Sequence, residues 1–173
     1  PLFMGRSGHV NQDIPAAIAE VTRHRIHLTP ALGQHPALQH LLTQRIAAHP
    51  AIDGWILWAH GSRSGDFAPR FSRQVAQMAQ PGIPMLPAFY VNQPDLSTQL
   101  DVLIAQGCQQ IGILPLLLFP GGLIDQLEAI AQTKRSCKIG ISVLPYLAAD
   151  PGLVEVVRAV AQERLGSRSL SMG

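Results

Sequence analysis

Charge and sulfur are scarce in this 173-residue chain: only 14% of residues are charged, with 11 Asp and Glu in all and two cysteines. Cys108 and Cys137 stand apart and form no CxxC pair, so neither a disulfide framework nor a zinc ribbon is expected, and both are read as idle thiols in a reducing compartment. A net charge of +2 on scattered arginines is too weak for a nucleic-acid footprint. Aromatics make up only 5% of the chain, yet 47% is hydrophobic, which predicts a well-buried, mainly aliphatic core. No apolar run reaches the roughly 18 residues that would span a bilayer. A soluble, cytoplasmic protein without nucleic-acid or membrane partners is the expectation.

What the chain does have is self-similarity. The segment from Pro1 to Gln12 sets beside that from Pro115 to Gln126 without a gap, and Pro30 to Leu38 sets beside Pro145 to Leu153 after one inserted residue. Similarity at this scale implies two copies of one fold. In the second copy the matched segment begins at the end of an apolar strand, so the first copy is expected to lack its front half.

Apolar runs alternate with helical patterns along the chain. Strands are predicted at Ile52–Ala59, Pro84–Val91, Gln110–Leu118 and Lys138–Leu144. Helices are predicted at about 69–80, from Asp95 as N-cap to a stop at Gly107, at 123–134, and at 151–165 behind Asp150 and Pro151. The strands are continuous apolar runs, as expected when helices cover both faces of a parallel sheet. The reading is an α/β protein with doubly wound parallel sheets in two similar lobes, the first incomplete. Its parts are 1–49 (back half of the first lobe, with a strand near Ile26–Leu28), 50–165 (a complete four-stranded lobe) and 166–173 (a disordered tail). The apolar positions Ile14, Ile18, Val21, Leu38, Leu41, Leu42 and Ile46 are expected to lack much of the sheet they would cover, which favours self-association.

Ligands of such sheets bind at the carboxyl ends of strands. Two histidines are placed there. His60 follows the first strand in Ala59-His-Gly-Ser-Arg, and His9 follows Ser7-Gly8 just past the truncated strand. Gly61 would let backbone approach a ligand, and Arg63 could pair with a carboxylate. The other five histidines read as surface or capping residues, with His35 at an N-cap-like position matching Asp150.

The Ala59-His-Gly-Ser-Arg turn resembles the first-strand motif of the class II tetrapyrrole chelatases of the CbiX/SirB type, and Gly8-His-Val-Asn-Gln-Asp-Ile-Pro is similar to their second signature. The resemblance runs across essentially the whole chain except its tail. It implies a chelatase-like fold and an ATP-independent lyase that inserts Co2+ or Fe2+ into sirohydrochlorin, in cobalamin or sirohaem biosynthesis. The metal is then substrate, no other cofactor is implied, and the partner is a small-molecule tetrapyrrole. It makes His9 and His60 the catalytic and metal-binding candidates, with His9 primary. Arg6, Ser62 and Arg63 become candidate contacts to substrate carboxylates.

Two departures stand out. The position that pairs with His9 in the second copy is Leu123, and the acid that ends the family's second strand falls near Tyr90 or Val91. They favour an alternative, a non-catalytic binding or scaffold lobe of such an enzyme. A phosphate-handling hydrolase built on His60, Ser62 and Arg63 is the remaining reading.

Overall fold

A computed structural model describes residues 12–21, 26, 28–63 and 65–166. Contacts divide the chain into two compact units, Arg45–Asp150 and a second made of Pro1–Gln44 with Pro151–Gly173.

Four strands form the Arg45–Asp150 unit: β1 (Gly54–Ala59), β2 (Met85–Phe89), β3 (Gln110–Pro115) and β4 (Gly140–Val143). They pair in the order β2-β1-β3-β4, every pair parallel. All six residues of β1, Gly-Trp-Ile-Leu-Trp-Ala, are buried, because this strand has a neighbour on each edge and cover on each face. Adjacent residues of a strand point to opposite faces, and the packing follows that alternation. Ile56 and Trp58 of β1, with Ala88 of β2, join one buried cluster with Leu100, Leu103, Leu127 and Ala131. Those last four lie on helices α4 (Leu96–Ala105) and α5 (Gly122–Lys134). Phe89, the next residue after Ala88, turns the other way. Its ring lies 5.6 Å from that of Phe71 on helix α3 (Phe67–Met78). The sheet is therefore doubly wound, as the sequence predicts.

Small residues sit where strands must come close. Trp55 and Gly112 are partners in the β1–β3 register, and a Cβ on Gly112 would fall 2.5 Å from the Trp55 ring. The indole thus lies across the glycine. At the amino-terminal end of the strands, both oxygens of Asp53 accept from the backbone N–H of Gln109, and Oδ1 also accepts from Gln110, which fixes the entry to β3. Cys108 beside it is buried and free; burial, helped by the Asp53 charge, pushes its thiol pKa up. That makes it a packing residue rather than a nucleophile. Cys137 is free and exposed.

Arg45 and Asp150, the two ends of this unit, are joined. Arg45 is 9% exposed, its Nη2 donates to the Pro145 carbonyl and its Nε lies 3.4 Å from Asp150 Oδ2. Desolvation lowers the guanidinium pKa and the neighbouring carboxylate opposes that shift.

The second unit holds helices α1 (Ile14–Val21), α2 (Pro36–Ala47, which ends inside the four-stranded unit) and α6 (Gly152–Gly166). His35 acts as the cap expected of it: its Nδ1 accepts from the Ala37 N–H at 3.2 Å, while Nε2 faces Glu163 at 3.1 Å. Two expectations need correcting. Ile26 and Leu28 are not in a strand, and His27 between them lies outside the described residues. Nor is the α2 stripe bare: Leu38, Leu41, Leu42 and Ile46 are all at most 7% exposed, and Ile14 and Ile18 are half-buried. The linear reading missed that α6, with Val156 buried on it, belongs to the same compact unit as the start of the chain. Val21 and the tail beyond Gly166 lie outside the residues whose side chains are described.

Asp95 caps α4 as predicted, its carboxylate accepting the Thr98 N–H at 2.8 Å. That hydrogen bond holds the Asp95 pKa below its ordinary value. A depressed folded-state pKa contributes stability above the unfolded pKa and loses it as pH falls through the folded one. Asp95→Ala is therefore expected to cost about 1 kcal/mol in urea denaturation at neutral pH. The gap from wild type should close on acidification below the carboxylate range, and a gap independent of pH would contradict the capping role.

Candidate functional site

The order β2-β1-β3-β4 places its switch point between β1 and β3, since the chain leaves β1 toward β2 and later adds β3 on the other side. A ligand crevice is expected at the carboxyl ends of these strands. His60, Gly61, Ser62 and Arg63 occupy that edge after β1, and Tyr90 to Gln93 extend it past the end of β2, on the side of β1 away from β3. The pairing of the two strands runs on past their ends: Tyr90 N–H donates to Ala59 O at 3.1 Å and Val91 N–H to His60 O at 3.0 Å.

His60 is exposed, and its Nδ1 lies 3.2 Å from the Gly61 carbonyl. A carbonyl only accepts, so a hydrogen bond there takes the proton of Nδ1, and in the neutral ring that leaves the lone pair on Nε2. That neutral tautomer is the form that binds a divalent ion or takes up a proton. Its ring is 5.7 Å from that of Tyr90, tilted by 43°, and Tyr90 in turn meets the edge of buried Trp58 at 6.4 Å.

The turn after His60 is clipped by a residue that sequence reasoning missed. Asn92 Oδ1 accepts the Ser62 N–H at 2.7 Å, and Asn92 Nδ2 donates to the Ser62 carbonyl at 2.9 Å. Gly61 makes the clip possible. Its φ of +85° favours glycine, and a Cβ there would lie 2.3 Å from Asn92 Oδ1. The sequence places Asn92 in a loop two residues before a proline, and nothing local marks it as a partner for a turn 30 residues away.

Ser62 and Arg63 are brought to the same edge as His60, Ser62 half-buried and Arg63 exposed. Leu123 is half-buried and packs against the central cluster, so the position that pairs with His9 is lodged on the core in this unit. His9 and Arg6 lie outside the described residues. Among the described residues no group of three or more His, Cys, Asp or Glu side chains converges on a point, and no helix is long and apolar enough to cross a membrane.

The family model described as CbiX matches residues 1–49 and 54–164. Among solved structures, a CbiX protein ascribed to cobalamin biosynthesis in Marinobacter aquaeolei VT8 is 23% identical, with a TM-score of 0.58 over 67% of this chain and 97% of its own. SirB from Bacillus subtilis with Fe3+ is 20% identical, with a TM-score of 0.75 over 94% of this chain and 69% of its own. A CbiX described as the terminal enzyme of sirohaem biosynthesis in denitrifying bacteria is 21% identical, with a TM-score of 0.69 over 92% and 73%. At these identities the likeness shows the fold. No curated protein sequence matches the chain.

The Gly61–Asn92 contact yields a double-mutant test. Gly61→Ala is expected to cost about 1–3 kcal/mol through its left-handed backbone, and Asn92→Ala about 1–3 kcal/mol through two lost hydrogen bonds. In the double variant the clash is gone, so the combined loss measured by denaturation should fall short of the sum. Simple additivity would show that the two residues act independently.

Proposed function

We propose, from the premise that this chain belongs to the CbiX family, that it serves a metallochelatase that inserts Co2+ or Fe2+ into sirohydrochlorin. The family match over both stretches of the chain carries the reading. A Bacillus subtilis relative of the same fold is a sirohydrochlorin chelatase in complex with cobalt, and another was solved with Fe3+. The chemistry suits what the strand edge offers. Insertion replaces two pyrrole N–H protons by one divalent ion, so the site needs a ligand to deliver the ion and a base to take protons. A neutral imidazole does both, and nitrogen ligands accept either metal. The macrocycle brings four nitrogens of its own, so the protein need not enclose the ion. Neither ligand exchange nor proton transfer requires a nucleotide. The exposed Arg63 and the Ser62 hydroxyl are suited to substrate carboxylates.

In this reading His9 is the primary ligand and base, with Arg6 near it in sequence, and His60 is secondary. The lobes are 1–49 and 50–165 by sequence pairing, and the enzyme works in the cytoplasm. Leu123 and Tyr90 support a second reading, in which the chain is a non-catalytic binding or scaffold lobe of such an enzyme and shows no protein-dependent insertion of its own.

The two are separated by following the absorbance change of sirohydrochlorin under anaerobic conditions with Co2+. His9→Ala should abolish protein-dependent insertion, while His60→Ala should slow it by no more than about tenfold, less than the roughly 10²–10⁴-fold that a lost acid–base group costs. Equal loss in both variants would contradict a single principal histidine.

A further inference from the structure

We infer that Tyr90, pinned between Trp58 and His60, is a specificity-determining contact that holds one face of a planar, carboxylate-bearing macrocycle. The inference rests on the chelatase reading and adds a substrate contact to it.

Among the described residues both exposed large aromatic side chains, Tyr90 at 47% and Phe119 at 64%, lie in loops that leave carboxyl ends of strands, after β2 and β3. Val91, next to Tyr90, is 45% exposed. An aromatic ring left in water forgoes burial that dominates core and interface energetics elsewhere. Here the ring is also fixed. Its backbone N–H is bonded to Ala59 O, Trp58 meets it edge-on, and the His60 ring lies against it at 5.7 Å. A half-exposed ring so held offers a preformed π face at little entropic cost on binding.

The surroundings say what kind of ligand fits. The segments His60–Arg63 and Tyr90–Gln93 contain no acid and one arginine, Arg63, which is exposed. Neither segment carries a carboxylate to repel an anionic ligand, the acids just beyond them being engaged elsewhere, Asp95 as the cap of α4 and Asp66 beside Arg70, and a cation is at hand. A conjugated macrocycle with peripheral carboxylates meets both conditions. A hydrated metal ion meets neither, since a phenol is a poor ligand for it. Tyr90 thus binds the organic substrate and takes no part in holding the metal.

The test is titration of metal-free sirohydrochlorin into the full chain, followed by its absorbance and fluorescence, beside a Co2+ titration without macrocycle. Tyr90→Ala should weaken macrocycle binding roughly tenfold, the order expected for one lost stacking contact. Tyr90→Phe should restore it to within about twofold of wild type, and Co2+ affinity should not change with either. Tyr90→Gln, similar in size without a π face, should lose as much as the alanine variant and serves in its place if that one misfolds. Wild-type binding with no loss in the alanine and glutamine variants would overturn the inference and leave the chelatase reading standing. Equal loss of Co2+ affinity would overturn it in favour of a metal role. Absence of macrocycle binding in the wild type would overturn both.

Discussion

The rest of the four-stranded unit depends on β1 being buried on both faces and paired on both edges. Gly54–Ala59 can then hold only apolar side chains, and no titratable group can sit along the strand without stranding a charge in the core. Chemistry is displaced to the first residue that reaches solvent, and that residue is His60. The same constraint explains the glycine at position 112, where two central strands pair and one carries an indole. It explains too why both helices α4 and α5 present aliphatic faces to Ile56 and Trp58.

Displacement to the edge would be of little use if the edge were loose. Two neighbouring strand ends are kept in register by the backbone bonds from Tyr90 and Val91 and by the Asn92 clip on Ser62. These fix the direction in which His60 leaves the sheet, and the carbonyl of Gly61 lies within hydrogen-bond reach of its Nδ1. The imidazole is therefore oriented by backbone rather than by a carboxylate partner.

Much of this was legible in the sequence. Strand positions fell within a few residues of prediction because both-face burial writes itself as continuous apolar runs, ended by Gly, Pro or polar residues. Asp95 and Gly107 marked the ends of α4 through capping chemistry and a φ of +93°. His60, Ser62 and Arg63 were placed at the strand edge by the rule for parallel sheets. What the sequence could not convey was contact between distant loops: the Asn92 clip, the Tyr90–His60 ring pair and the Arg45–Asp150 ion pair. The apolar stripe of α2 misled for a related reason, since a helix pattern says that a face is buried but not by what.

The claim at the centre is that the carboxyl edge of β1 and β2 receives the macrocycle. Amide chemical shifts of the isotope-labelled chain, recorded while metal-free sirohydrochlorin is added, test it most directly. The amides of Gly61, Ser62, Tyr90 and Val91 should shift together and saturate with one affinity, while those of Gln109 and Gln110, at the opposite end of the sheet beside Asp53, stay in place. Shifts confined to the Asp53 end, or saturable binding that leaves Gly61 and Val91 unmoved, would contradict the account.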